Sequence, residues 1–362
     1  MLMEDCFGWV DYWKRALEKH GYAVWDLIGN AEMLQKVWSK EHGINYAEDN
    51  WLKEIVAAQI THYKPEVLFV NDYNIYPASF LRQIRQNCTS IKLVVGWCGA
   101  PYRDAGIFSE CDIVLTNIAR VVEDLRGAGV VAEKMHHAFA PILLDRVNRN
   151  KDALSDFVFI GSVFLQDKFH IKRAQILADL LETTDIEIWG QVGAAGLNAK
   201  AKGKPGIRGL VRKIYEGMNG KRGNGEFTED DKQNVLKLRA HIRSPVYGLQ
   251  MFEKLHNSRI TFNSHIDISL NESSNMRLFE ATGVGSCLMT ENSKNITEIF
   301  DPDTEVVTYE NATDAAEKVV YLLENEDLRK RIAGAGQRRT LRDHNFDVRA
   351  QAMNELIRVR LA

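Results

Sequence analysis

Short runs of aliphatic and β-branched residues, apolar almost without interruption, recur along this chain with helical stretches between them. That rhythm limits the fold more than any other feature. Val67–Val70, Lys92–Val95 and Asp112–Leu115 read as strands buried on both faces. Pro77–Gln86 and Ile118–Gly127 read as the helices between them, the second ended by its glycine. The same rhythm restarts at Phe157–Ile160 and continues through Ile186–Trp189, Arg259–Phe262, Ser286–Met289 and Glu305–Val307. Alternation of this kind calls for parallel sheets with helices on both faces. Two such sets in 362 residues predict two doubly wound α/β domains.

The mixed stretch Pro141–Asp156 reads as a hinge, so the first domain is expected over 1–148 and the second over 149–340. Phe7–Lys19 reads as the first helix and Ala23–Leu27 as a strand after it. A doubly wound domain normally begins with a strand before that helix, and there is no room for one here, so the first strand is expected to be missing. Residues 193–225 are rich in Gly, Lys and Arg and read as an insertion. Within it, residues 207–218 repeat apolar positions at helical spacing, either to pack on their own domain or to touch anionic lipid as a peripheral membrane contact. Thr228 with Asp231 opens a helix that stops before Pro245, and Asp314 with Glu317 resembles a capping box. Residues 341–362 are expected as a closing helix.

Composition matters mainly for what it excludes. The formal charge is −3, so binding to a nucleic-acid backbone is not expected, although one local basic cluster can still hold a diphosphate. Five scattered cysteines with no C-x-x-C pair fit reduced thiols rather than a disulfide frame or a zinc site. The first residues are acidic where a signal peptide would be basic, and no apolar run approaches bilayer length. A cytoplasmic location is the expectation.

The chemistry concentrates in Asn263–Met289. A strand ends near His265, a polar loop follows over Asp267–Ser274, and Ser274 is placed to cap a short helix over Asn275–Thr282 that Gly283 ends. The amide end of such a helix, at the carboxyl end of a parallel sheet, suits a diphosphate, with Ser274, Asn275 and Met276 beside it. Arg277 in the first helical turn opposes the helix dipole by roughly 0.3–1 kcal/mol. A bound phosphate offsets that, and so does pairing with Glu272 or Glu280. Seven residues separate Glu272 from Glu280, one in the loop and one in the helix. The second can accept from vicinal ribose hydroxyls and the first can face a sugar.

The run NMRLFEATGVG, with the strand after it and ENSKNITEIFDPDTEVVTY, resembles the donor-side core of CgeB-like glycosyltransferases, a spore-maturation-type branch of the group 1 glycosyltransferase superfamily. FGWVDYWKRALEKHGYAV, PEVLFVNDYNI, LVVGWCGAPY, CDIVLTNIARVVEDLRGAGV, FVFIGSVF and QRRTLRDHNFDVRAQAMNELI extend the resemblance over nearly the whole chain apart from residues 193–225. It implies a GT-B fold, with two Rossmann-like domains facing across a cleft, the acceptor domain first and the last helix crossing back to it. It implies nucleotide-sugar-dependent glycosyl transfer, of retaining type, with Glu272 toward the transferred sugar and Glu280 toward the ribose. It also makes the loop at Gly161 and Ser162 a diphosphate contact, with Lys168, His170 and Arg173 nearby and Arg173 suited to a bidentate bond.

Acceptor-side candidates are Asp72 and Asn74 after one strand, Trp97 and Tyr102 in the loop after another, and His137 before the hinge. An aromatic ring in such a loop could stack on a sugar, whereas a histidine such as His137 is more often satisfied structurally. The acceptor itself is a glycan, lipid-linked or protein hydroxyl. Helix amides, Arg277 and Arg173 would stabilise the departing diphosphate. No D-x-D stands at a strand end, since Asp301–Asp303 reads as a turn, and neither metal nor cofactor is expected. A sugar-nucleotide epimerase of the same fold and a catalytically inactive nucleotide-sugar-binding partner remain open alternatives.

Overall fold

A computed structural model describes residues 3–99, 102, 104–148, 150, 154–165, 170–193, 228–266, 269 and 271–362. The expected insertion at 193–225, from position 194 onward and including the apolar helical repeat at 207–218, lies outside the described residues, as does Lys168. The chain forms two compact units. An N-terminal unit comprises Asp11–His136 with Asp347–Ala362, and a C-terminal unit comprises the residues up to Val10 with His137–Phe346. The sequence-based division at 148 differs from this one. Residues 137–140 are held by the C-terminal unit, where the Phe139 N–H donates to His344 O at 2.8 Å and the Phe139 ring meets Phe252.

The N-terminal unit contains α1 (Tyr12–Glu18), α2 (Glu32–Glu41), α3 (Trp51–Tyr63), β1 (Val67–Val70), α4 (Ala78–Asn87), β2 (Leu93–Cys98), β3 (Ile113–Thr116), α5 (Ala119–Gly127) and β4 (Ala132–Lys134). The four strands lie in sequence order and pair in parallel. All six residues of β2 and all four of β3 are buried, as their continuous apolar character requires. Helix α4 turns Phe80, Leu81 and Ile84 inward. Among the described residues no strand precedes α1. Ala23–Leu27, expected as a strand, is irregular: the Val24 carbonyl accepts from Lys14 Nζ at 3.1 Å, and Trp25 stacks on Tyr63.

The C-terminal unit contains β5 (Ser155–Ile160), β6 (Val163–Phe164), α6 (Ile171–Thr183), β7 (Glu187–Trp189), β8 (Val192–Gly193), α7 (Glu229–His241), α8 (Gly248–His256), β9 (Ser258–Phe262), α9 (Arg277–Gly283), β10 (Cys287–Glu291), α10 (Ile296–Ile299), β11 (Val307–Tyr309), α11 (Ala312–Glu324) and α12 (Glu326–Asp343). Its parallel sheet runs β11-β10-β9-β5-β7, with β6 and β8 as a separate pair. Counted within the unit this is strand order 2-1-3-4-5 reversed, so the direction of winding changes between β5 and β9. Phe157, Phe159, Ile260, Phe262 and Tyr309 fill the core beneath that point.

The final helix, α13 (Phe346–Leu361), buries Ala350, Met353 and Ile357 at helical spacing. Within the N-terminal unit it is fixed by Lys19–Asp347 at 2.7 Å, by Tyr22 Oη to Asn354 at 2.9 Å and by Arg349 Nε to His136 O at 3.0 Å.

Local chain ends show where expectation and structure part. Thr228 and Asp231 do form a capping box on α7. On α11 the cap is Asn311, whose side chain accepts the Asp314 N–H, while Asp314 accepts from Glu310 N–H. The expected pair of Asp314 with Glu317 is therefore corrected. A tighter N-cap at Asn311 puts both acids inside the helix.

Asp26 offers a pH-dependent test of the N-terminal unit. Burial first, then Asp11, pushes its carboxyl up to about 6, and Oδ2 is buried without a hydrogen-bond partner. A raised folded value means that the Asp26 contribution to stability is complete below its unfolded value and is lost as pH rises through about 6. Asp26→Asn should therefore stabilise the protein by about 1–2 kcal/mol at pH 8, part of the electrostatic effect being screened by solvent, and by little near pH 4. Denaturant melts at the two pH values read this directly. An equal gain at both would contradict it.

Candidate functional site

The winding reversal between β5 and β9 leaves a crevice at their carboxyl ends, the place where open parallel sheets bind ligands. Gly161 and Ser162 follow β5, and Asn263, Ser264 and His265 follow β9. Arg173, in the first turn of α6, joins the two mouths. Its Nη1 donates to Ser162 O at 2.9 Å and its Nη2 to Ser264 O at 2.7 Å, beside the Phe159 ring. This guanidinium is only 8 % exposed and donates to a carbonyl from each terminal nitrogen. Arg173 braces the site from below. His170 sits at the N-cap of α6 and takes the Phe164 N–H at Nδ1, 2.9 Å away.

The segment carrying Glu272–Glu280 passes over the same strand ends. Asn271 has φ +68°, a left-handed conformation that asparagine tolerates. Glu272 follows, half-buried, with its N–H donating to Ser269 O at 3.0 Å. Helix α9 begins at Arg277 with Met276 as N-cap and no side-chain cap. Ser274, expected as the cap, is 5 % exposed and lies before the helix. Asn275 is drawn backward instead, its Nδ2 donating to Asn263 Oδ1 at 2.8 Å, which delays the first helical residue.

The helix is short, and Leu278–Gly283 are all buried. Gly283 was expected to stop it but is its last residue. A methyl group there would overlap the Phe139 ring, and the left-handed turn falls at Gly285, φ +83°. Gln337 Nε2 to Gly283 O at 3.0 Å and Thr282 Oγ1 to Thr340 Oγ1 at 2.6 Å tie α9 to α12.

Arg277 and Glu280 meet at the crevice. Arg277 Nη1 lies 2.7 Å from Glu280 Oε2 and 3.1 Å from Met251 Sδ, and Nη2 reaches Ile160 O at 3.2 Å. Of the two explanations for a cation in the first turn, pairing with Glu280 is present in the structure. Yet Nε–H, one of five guanidinium donors, is buried with no acceptor. Glu280 is 8 % exposed. Burial pushes its carboxyl upward from the ordinary range, and Arg277 beside it pulls it back. Asn275 Oδ1 is likewise buried without a partner. Unsatisfied polar atoms gathered at one strand-end crevice are what a polar ligand would satisfy.

Beneath the loop lies a polar network that the sequence did not single out. His265 Nε2 is within 3.2 Å of Ser273 Oγ, 3.3 Å of Thr290 Oγ1 and 3.5 Å of Asn263 Nδ2. Asn295 Oδ1 accepts the Ser273 N–H at 2.7 Å, and its Nδ2 donates to Ser273 O at 3.0 Å. Glu291 Oε1 accepts from Ser264 Oγ at 2.7 Å and from the His265 N–H at 3.2 Å, and Tyr309 Oη donates to Asn263 O at 3.0 Å. The available signal was Asn263–His265, three polar residues interrupting an apolar strand at its carboxyl end.

Of the acceptor-side candidates, Asp72 Oδ1 accepts the N–H groups of Asn74 and Ile75 at 3.1 Å each, which makes it the organiser of a turn. Trp97 was expected in a loop. It lies inside β2 and is 5 % exposed, because the strand runs on to Cys98, so little of the ring is open to stacking. Tyr102 is half-buried, edge-on to Phe108. His137 belongs to the C-terminal unit, with its ring 6.0 Å from Trp9. Among the described residues no group of three or more His, Cys, Asp or Glu could hold a metal ion, and no helix is long and apolar enough to cross a membrane.

Comparison with solved structures places this fold among GT-B glycosyltransferases. HepE of Anabaena in complex with UDP-glucose is 11% identical, with TM-score 0.57 over 90% of this chain and 88% of that one. Sucrose-phosphate synthase from Thermosynechococcus elongatus is 12% identical, with TM-score 0.55 over 87% and 80%. The UDP-forming α,α-trehalose-phosphate synthase of Burkholderia xenovorans with glucose-6-phosphate is 12% identical, with TM-score 0.51 over 88% and 81%. No curated protein sequence matches the chain. The family model described as glycosyl transferase-like matches residues 173–355, just over half of the sequence and the greater part of the unit that carries Arg277 and Glu280. The chain belongs to the glycosyl transferase-like family.

Proposed function

We propose that this glycosyltransferase moves a sugar from a nucleoside diphosphate to an acceptor hydroxyl, and that the β5–β9 crevice of the C-terminal unit holds the donor. One observation carries the reading. Arg277, Glu280, Asn275 and the Gly161–Ser162 loop converge where the sheet reverses its winding, with buried donors and acceptors left unmatched. In this account Arg277 is held by Glu280 Oε2 and turns its remaining N–H groups to the diphosphate. Glu280 keeps Oε1 for the ribose, and Glu272 faces the transferred sugar. The bond from the anomeric carbon to the diphosphate oxygen breaks, and the acceptor oxygen bonds to that carbon. The departing phosphate takes the hydroxyl proton, so retention needs no protein base and no metal. Acceptor recognition falls to the N-terminal unit, with Asp72, Asn74 and Tyr102. Membership of the CgeB-like branch and a cytoplasmic site of action complete the reading.

The test is a thermal-shift panel of UDP-glucose, UDP-N-acetylglucosamine, GDP-mannose and ADP-glucose, followed by assay of nucleoside diphosphate release. At a hundred times its Kd a true donor stabilises the fold by about 2.7 kcal/mol. Stabilisation with release of the diphosphate supports transfer. Conversion of the donor to an epimer without release, or no stabilisation by any nucleotide sugar, would sink the assignment.

A further inference from the structure

We propose that His265 is a positioning residue for glycosyl transfer: from the end of β9 its imidazole reaches under the 271–276 loop and, through Ser273, fixes the backbone that presents Glu272. The proposal rests on the donor-site reading above. His265 touches no part of that proposed donor surface itself; it is 3 % exposed, beneath the loop.

The direction of its hydrogen bonds follows from its neighbours. Asn263 Nδ2 can only donate, and it also reaches Thr290 Oγ1 at 3.0 Å. Ser273 and Thr290 present hydroxyls to the same ring nitrogen. That assigns Nε2 as the shared acceptor and the ring proton to Nδ1, which is buried without a partner. Burial, with Arg173 adding to it, holds the imidazole down to about 3, so the acceptor at Nε2 persists at any pH where an enzyme works.

Ser273 is gripped from four sides. Its Oγ meets His265 Nε2 and lies 2.6 Å from Ser293 Oγ, while its N–H and C=O are both bonded by Asn295. Thr290 belongs to β10 and Asn263 follows β9, so the ring ties the ends of two adjacent core strands to the residue next to Glu272. The loop needs such a tie. It has no regular structure of its own and opens with Asn271 in a left-handed conformation. A displacement of about 1 Å in a group that contacts substrate can cost on the order of 10²-fold in rate.

Glutamine places its amide oxygen near the Nε2 position of histidine, whereas asparagine reaches only the Nδ1 position. With the nucleotide sugar that most stabilises the wild type, and water as the acceptor, release of nucleoside diphosphate is compared for His265→Gln, His265→Asn and Ser273→Ala. We expect His265→Asn to lower kcat about tenfold or more, with KM and the Kd for that donor within about threefold. His265→Gln should return kcat to within about threefold of wild type. Ser273→Ala should reproduce the loss, and Ser273→Ala combined with His265→Asn should be less than additive. If His265→Asn does not fold, Ser273→Ala decides alone. Equal effects of Gln and Asn, a loss confined to KM, or unchanged kcat in Ser273→Ala overturns the proposal. Failure of the wild type to bind any nucleotide sugar is a different result and removes the donor-site reading itself.

Discussion

Replacing Arg277 with alanine is expected to lower kcat about 10²–10³-fold, the usual effect of removing one preorganised charge from a site where negative charge develops. The expectation has a second part. Arg277 partners a carboxylate that is 8 % exposed, so its loss leaves Glu280 buried and unpaired. Breaking such a pair from one side destabilises by about 3–5 kcal/mol. The two parts separate in the double variant Arg277→Ala/Glu280→Gln. Neutralising the stranded carboxylate should recover most of the lost stability, while turnover stays low because the guanidinium is still missing. Arg277→Lys should fold but turn over poorly, since an ammonium keeps the charge without the fork that spans Glu280 Oε2 and Ile160 O. Near-normal kcat in either alanine variant would mean that the pair is purely structural.

Phe279→Ala should produce the largest loss of stability from a single apolar side chain at this site, about 3–5 kcal/mol. Phe279 is fully buried on α9, 5.0 Å from the His344 ring and 6.1 Å from Phe300. A cavity there would be enclosed by α9, α12 and the segment before α13, and none of these can collapse freely, because Gly283 and Thr282 are hydrogen-bonded to α12. The melting temperature should fall on the order of 10 °C. Phe279→Leu should cost under about 2 kcal/mol, since most of the volume is kept. The functional consequence follows from adjacency. Phe279 precedes Glu280 in the chain, so the packing that holds the ring also holds the carboxylate at the crevice. A variant that melts at the wild-type temperature would show that α9 is not anchored through this ring.

How far the sequence revealed this molecule depends on what each residue answers to. The sheets were legible because a strand buried on both faces has one sequence appearance: Lys92–Val95 and Asp112–Leu115 read as strands, and β2 and β3 lie there, β2 running three residues further. Glu272, Arg277 and Glu280 were legible as a loop-and-helix pattern, and pairing with Glu280 was one of two predicted fates for Arg277. Other features arise from partners that are not adjacent in the chain. Arg173 reads as a diphosphate contact, and the sequence does not show that Ser162 O and Ser264 O converge on it from two strand ends. Trp97 reads as a loop aromatic until β2 is seen to extend through Cys98. Gly283 reads as a helix stop, but what requires glycine there is the Phe139 ring, more than a hundred residues earlier in the chain. His265 shows locally only that polar residues interrupt an apolar strand at its end, and its meaning arises when Ser273, Thr290 and Asn263 surround one nitrogen.

The most direct measurement is a crystal structure of the chain with its nucleotide sugar bound. The account predicts diphosphate oxygens within hydrogen-bond distance of the Arg277 guanidinium and of backbone N–H groups at Gly161–Ser162 or Asn275–Met276, with the ribose on Glu280. A diphosphate bound away from the ends of β5 and β9, with the Arg277–Glu280 pair untouched by ligand, would contradict it.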